Sequence, residues 1–115
     1  MKILLAPESQ IKDIAERYIV LELDTFCIKG IDTPSWCVIE AGDIGLAELT
    51  ELNHFITEHG NLIKNYKLGN FTYCEQMIEH LRGKFGGEVD SFYMELYART
   101  QQPKTDPWNS VIVKE

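Results

Sequence analysis

The chain has 115 residues, 44% of them hydrophobic, and its 18 acidic and 11 basic residues give a net charge of −7. A chain of this size and apolar content predicts one domain over residues 1–115 with a core of its own. The acidic balance disfavours direct nucleic-acid binding through a basic face. No apolar run approaches the roughly 18 residues of a membrane-spanning helix, so no membrane association is expected.

The cysteines and the absence of known sequence motifs predict the cellular compartment and the class of protein. Three cysteines in a chain without an evident secretory signal are typical of reduced thiols, and the apolar run before Pro7 is too short to be such a signal. We therefore expect a cytoplasmic protein. No nucleophile elbow, P-loop or G-x-G-x-x-G motif is found, so the sequence predicts no cofactor and favours a non-enzymatic protein.

The first 41 residues predict a strand, a helix and a hairpin. Lys2 to Leu5 is a short apolar run, and Pro7 suits the first turn of a helix. An apolar stripe follows at helical spacing: Ile11, Ile14, Ala15 and Tyr18. Residues 19–29 and 35–41 are rich in β-branched and aromatic side chains, and the intervening loop contains Gly30, Asp32 and Pro34. They predict two strands joined around Asp32.

A loop centred on Asp32 makes two chemical predictions. Cys27 then faces Cys37, a pair of thiols that could share a metal or oxidise, although buried cysteines commonly act as small hydrophobic side chains. Asp24 faces Glu40, with Glu22 on the same face. Opposed carboxylates either point into water or bind a cation such as Mg²⁺, so these three acids are a weak candidate metal site.

Residues 44–59 predict a helix that is acidic on one side. Asp43 can cap it and Gly60 can end it. The apolar side contains Leu46, Leu49, Leu52, Phe55 and Ile56, and the opposite side contains Glu48, Glu51, His54 and Glu58.

The C-terminal half contains two ambiguous segments. Residues 61–69 and 91–100 show strand alternation but also fit helical stripes, and we interpret both as extended. Between them, Thr72 and Glu75 form a capping box that predicts a helix, ended by the glycines after Phe85. Residues 111–113 predict a last short strand, anchored by Trp108.

These elements predict an α+β fold with a mixed or antiparallel sheet around the central hairpin and about three helices. The order of the first six is also compatible with a ferredoxin-like βαββαβ plan with a C-terminal extension. This plan serves many functions and therefore selects none.

The histidines and the third cysteine give little support for catalysis. His54 and His59 miss the i, i+4 spacing of a two-histidine metal site, and with His80 they are expected at the surface or as caps. Cys74 lies near a helix start, where a thiol can become nucleophilic, but its apolar stripe favours a core position.

The strongest functional signal is the distribution of charge. No Lys or Arg lies between Lys29 and Lys64, whereas six acids lie in this interval: Asp32, Glu40, Asp43, Glu48, Glu51 and Glu58. A surface of one sign attracts partners of the other sign.

The leading hypothesis is a protein-binding module of the inhibitor, immunity or adaptor type. It docks a basic protein through Glu48, Glu51, His54 and Glu58. One alternative is a small metal-dependent hydrolase built on Glu22, Asp24 and Glu40. The other is a homo-oligomeric structural protein that pairs through an edge strand near Val111.

Overall fold

The computed structural model describes residues 2–114, apart from the side chains of Asp43 and Ala47, so the predicted Asp43 cap lies outside the described part. The strands are β1 (Lys2–Leu5), β2 (Ile19–Ile28), β3 (Ile31–Ile39) and β4 (Ile112–Lys114). The helices are α1 (Glu8–Ala15), α2 (Leu46–Leu49), α3 (Leu52–Leu68), α4 (Phe71–Leu81) and α5 (Asp90–Thr100), and short 3₁₀ turns lie at Ala41–Asp43 and Phe85–Gly87.

The predicted α+β class is confirmed. The four strands form one mixed sheet in the order β1-β3-β2-β4, in which only the β2–β4 pair is parallel. Four of the helices have eight or more residues. The ferredoxin-like plan is followed only through its first five elements, because helices α3, α4 and α5 precede the last strand instead of a single helix.

The register predicted for the hairpin is wrong. The turn is formed by Lys29 and Gly30, both with positive φ (52° and 80°), which is the geometry of a two-residue type I′ turn. Asp32 therefore lies within β3, opposite Cys27, and Cys37 lies opposite Leu21. A tight turn that matches the strand twist is favoured over a longer loop, so neither the Cys27–Cys37 pair nor the Asp24–Glu40 pair forms.

A bulge interrupts β2 halfway along the hairpin. Glu22 pairs with Trp36 and Thr25 pairs with Pro34, so two residues, Leu23 and Asp24, lie opposite one. That one residue is Ser35, and its hydroxyl donates a hydrogen bond to the Asp24 carbonyl (2.6 Å). The Ser35 hydroxyl thus satisfies the Asp24 carbonyl at the point where the bulge interrupts the backbone hydrogen bonds of the two strands.

The core lies mainly on one face of the sheet. Leu21, Leu23, Cys37 and Ile39 pack there against buried residues of α3, α4 and α5. On the opposite face, α1 buries Ile11 against Trp36 and Ala6. The Trp36 indole N–H donates to the Ala6 carbonyl (2.8 Å), which ties the start of α1 to the sheet.

Three helix predictions require correction. The helix predicted over 44–59 is interrupted near Glu51 and separates into α2 and α3. Helix α3 runs through Gly60 and ends only before Gly69, whose φ is 82°. Residues 61–69 and 91–100 are therefore helical rather than extended.

Burial explains why both ambiguous segments become helices. Leu62, Ile63 and Tyr66 lie on the buried side of α3, and the buried side of α5 is formed by Phe92, Tyr93, Leu96 and Thr100. Only the helical conformation turns each set toward the sheet together. The capping box is also wrong, since α4 already begins at Phe71 and its N-cap, Asn70, makes no side-chain cap.

The C-terminal predictions are confirmed. Strand β4 pairs with β2 beside Phe26. Trp108 donates its indole N–H to the Tyr66 carbonyl (2.8 Å) and packs edge-on against Phe71 (ring centres 5.0 Å apart). These contacts hold the segment before β4 against α3 and α4.

Candidate functional site

The Glu48 side chain is hydrogen-bonded to the Phe85–Gly87 turn. Its carboxylate accepts hydrogen bonds from the backbone N–H groups of Phe85 and, at 3.3 Å, Gly86. These two bonds tie α2 to the Phe85–Gly87 turn. The Glu48 carboxylate, which was predicted to bind a partner, therefore forms hydrogen bonds within the protein itself.

Glu51 is exposed at the start of α3 and makes no side-chain cap there. Together with Glu48 it borders a cavity of about 300 Å³, which is also lined by Phe55, Gly83 and Lys84. The Lys84 ammonium lies 5.0 Å from the centre of the Phe55 ring. This cavity thus has carboxylates at its rim and an aromatic ring that already attracts one cation.

Glu58 lies between two histidines. Its carboxylate is 2.6 Å from His54 Nε2 and 2.9 Å from His80 Nε2. The Glu58 side chain is only 14% exposed, whereas those of His54 and His80 are 69% and 50% exposed. The imidazoles therefore cover a carboxylate that the sequence places on an open helix face.

The remaining acids of the lysine-free interval lie elsewhere. Asp32 and Glu40 are both exposed, near opposite ends of β3. The structure thus brings Glu48, Glu51, His54 and Glu58 to one region along α2 and the first half of α3, and it leaves the hairpin acids apart.

The alternative metal site is not assembled. Glu22 pairs with Lys67 (2.5 Å), Asp24 pairs with Arg99 (2.7 Å), and Glu40 is exposed beyond the end of β3. Among the side chains that the structure describes, no group of three or more His, Cys, Asp or Glu is arranged to hold a metal ion.

The buried cysteines are poor nucleophiles. Cys37 and Cys74 are fully buried, and burial raises the pKa of each thiol to about 11. Both therefore remain protonated at neutral pH, in agreement with the core position predicted for Cys74. Cys27 is half-buried and has no cysteine partner.

His59 differs from its prediction as a surface or capping residue. It is 1% exposed, its Nε2 is 2.6 Å from the Glu22 carbonyl, and its Nδ1 is 2.8 Å from the Tyr93 hydroxyl. Because a carbonyl only accepts, Nε2 carries the proton and Tyr93 donates to Nδ1. Burial lowers the pKa of His59 to about 4, against the opposing effect of the Glu22 carbonyl.

The sequence does contain a signal for this burial. His59 falls at helical spacing between Phe55 and Leu62, on the buried side of α3. A polar residue on such a stripe requires buried hydrogen-bond partners, and these come from a strand and a helix distant in sequence.

A second concave region lies between α5 and the sheet. This groove has a volume of about 510 Å³ and an apolar floor that includes Leu23, Phe26 and Phe92. Arg99 crosses it, and its guanidinium lies 2.7 Å from both Asp24 and Glu95. Sequence patterns do not indicate this cluster, since its acids come from a strand and a helix some 70 residues apart.

No helix within the described residues is long and apolar enough to cross a membrane. Comparison of the chain with protein-family models, curated proteins and solved structures found no match.

Proposed function

We propose that this chain is a cytoplasmic protein-binding module, of the inhibitor, immunity or adaptor type. It docks a basic protein through Glu48, Glu51, His54 and Glu58, which we call the acidic surface. The observation that supports this proposal most directly is the exposed Glu51 carboxylate beside the cavity lined by Phe55.

The cavity suits a cationic side chain. A Lys or Arg of the partner would meet the Glu51 carboxylate and would compete with Lys84 for the Phe55 ring. Cation–aromatic contacts are worth about 0.5–1 kcal/mol at exposed sites and more when water is excluded. Lys84 makes such a contact within the chain. Glu48, which lines the cavity, is itself held by hydrogen bonds from the backbone of the 85–87 turn.

The wider charge distribution supports docking by attraction. No Lys or Arg of the interval between Lys29 and Lys64 opposes the field of the acidic surface, and Lys84 is the cation that lines its cavity. An exposed field of one sign accelerates encounter with a basic partner and is screened over about 8–10 Å at physiological salt. Binding should therefore weaken as salt rises.

The test compares wild type with Glu51→Lys in affinity capture from host lysate at low salt, followed by dissociation constants for the recovered basic proteins. Glu51 is the best position because its replacement leaves the Glu48 and Glu58 hydrogen bonds intact. Glu16→Lys is the matched control, since Glu16 is exposed beyond α1. We expect Glu51→Lys to weaken binding about tenfold or more and Glu16→Lys to change it little.

Equal loss of binding in both variants would mean that net charge alone acts and would contradict a localised surface. Unchanged binding of basic proteins by both variants would contradict docking through the acidic surface. Thermal unfolding of all three proteins shows whether each variant remains folded.

A further inference from the structure

Among the residues that the structure describes, strand β1 is paired on one side only, with β3, and lies at the edge of the sheet. Its register with β3 pairs Ile3 with Cys37 and Leu4 with Trp36, and the Ala6 N–H continues the ladder by donating to the Pro34 carbonyl (3.3 Å). Hydrogen-bonded pairs alternate along an antiparallel ladder. The N–H and C=O groups of Leu4 therefore point toward β3, and those of Ile3 and Leu5 point away from it.

The same two residues expose apolar side chains. Ile3 is 59% exposed and Leu5 is 49% exposed, both on the sheet face that carries Cys37. Sheet edges of monomeric proteins are usually protected by proline, a bulge or charge. Each edge strand carries one terminal lysine, Lys2 in β1 and Lys114 in β4, but none of these protections lies between Ile3 and Leu5.

This edge is complementary to itself. If two β1 strands run antiparallel about a two-fold axis at Leu4, Ile3 lies opposite Leu5 of the second copy and Lys2 lies opposite Ala6. In this register the outward groups of Ile3 and Leu5 meet their counterparts and form four hydrogen bonds. The pairing covers the exposed Ile3 and Leu5 side chains and opposes no like charges.

We propose that two copies of this chain associate through β1 in this register and form one continuous eight-stranded sheet. The second copy is favoured over a foreign strand because the outward positions on both strands are apolar and the register closes on itself, as a two-fold interface requires. This interface is separate from the acidic surface, so either proposal can fail without the other.

Salt should affect the β1 dimer and the docking of a basic partner in opposite directions. Each copy carries a net charge of −7, and β1 contributes only Lys2 to the interface. Repulsion between the copies is screened as salt rises. The β1 dimer should therefore become tighter between about 50 and 300 mM salt, whereas docking of a basic partner should weaken.

The first test measures mass in solution by light scattering and sedimentation at increasing protein concentration. We expect a dimer for wild type and for Val113→Lys, and a single chain for Leu5→Lys. Val113 is the matched control because it is a 67% exposed apolar residue on the other edge. A monomeric wild type, or a dimer lost in Val113→Lys and kept in Leu5→Lys, would overturn the proposal.

The second test examines the register. In a Cys27→Ser background, Ile3→Cys and Leu5→Cys proteins are mixed under mild oxidation. The proposed register places these two positions opposite each other, so the mixture should form the mixed disulfide in preference to either homodimer. Preferential homodimers would overturn the register. Circular dichroism of each variant shows that the fold is retained.

Discussion

The two ion pairs of Arg99 have the same length but differ in how far they are exposed to water. Its guanidinium lies 2.7 Å from both Asp24 and Glu95, but the Asp24 side chain is 10% exposed and that of Glu95 is 63% exposed. Burial of Arg99 works against its charge, yet its bonds to the two carboxylates outweigh this and raise its pKa. Water screens the Glu95 pair and largely spares the Asp24 pair.

We therefore expect Asp24→Asn to lower the free energy of unfolding by about 1–2 kcal/mol, because it leaves a partly buried cation without its less exposed partner. The matched change Glu95→Gln should cost no more than about 0.5 kcal/mol, as is usual for an exposed pair. Urea unfolding of the three proteins measures both values. Equal losses would show that distance, rather than burial, determines the strength of these pairs.

At the scale of the element, two glycines have opposite roles. Gly30 has a φ of 80° in the hairpin turn, where an L side chain is strained. Gly60, which marks a helix end in the sequence pattern, lies inside α3, and a Cβ added there would meet nothing within 4 Å. The first glycine makes the turn possible, whereas the second only weakens its helix.

Gly30→Ala should accordingly destabilise the protein by about 1 kcal/mol or more, because alanine resists the left-handed conformation. Gly60→Ala should stabilise it by about 0.5–1 kcal/mol through helix propensity. Melting temperatures of the two variants against wild type test this pair. A Gly60→Ala protein that melts below wild type would contradict the continuous α3 helix.

At the scale of the whole molecule, His59 links stability to pH. Its pKa is about 4 in the folded protein and 6.5 in the unfolded chain. Above pH 6.5 both states hold it neutral, and the full stability is present. As the pH falls from about 6.5 toward 4, only the unfolded chain takes up the proton, so the free energy of unfolding declines by up to about 1.4 kcal/mol per pH unit.

Between pH 7 and pH 4.5, wild type should therefore lose roughly 2–3 kcal/mol more than a His59→Gln variant. Other titrating groups are common to both proteins and cancel in the difference. The glutamine amide can still donate to the Glu22 carbonyl. Denaturant unfolding at both pH values measures the quantity, and parallel pH profiles would show that His59 is not buried as a neutral side chain.

Much of this fold is predictable from local patterns. Alternating or continuous apolar runs identify β1, the hairpin strands and β4, and helical stripes identify α1, the first half of α3 and α4. The charge interval is likewise visible as spacing alone, although the sequence pattern does not show that Glu48 bonds the 85–87 turn or that two histidines cover Glu58.

The α+β class, the acidic balance and the apolar stripes can be read from the residues alone, because they depend on composition and on side-chain period within a segment. The hairpin register, the helical state of residues 61–69 and 91–100, and the partners of His59, Asp24 and Glu48 depend instead on the three-dimensional fold. In each of these cases the local pattern is compatible with more than one arrangement. Packing against distant segments then selects the one that buries apolar side chains and satisfies polar groups together.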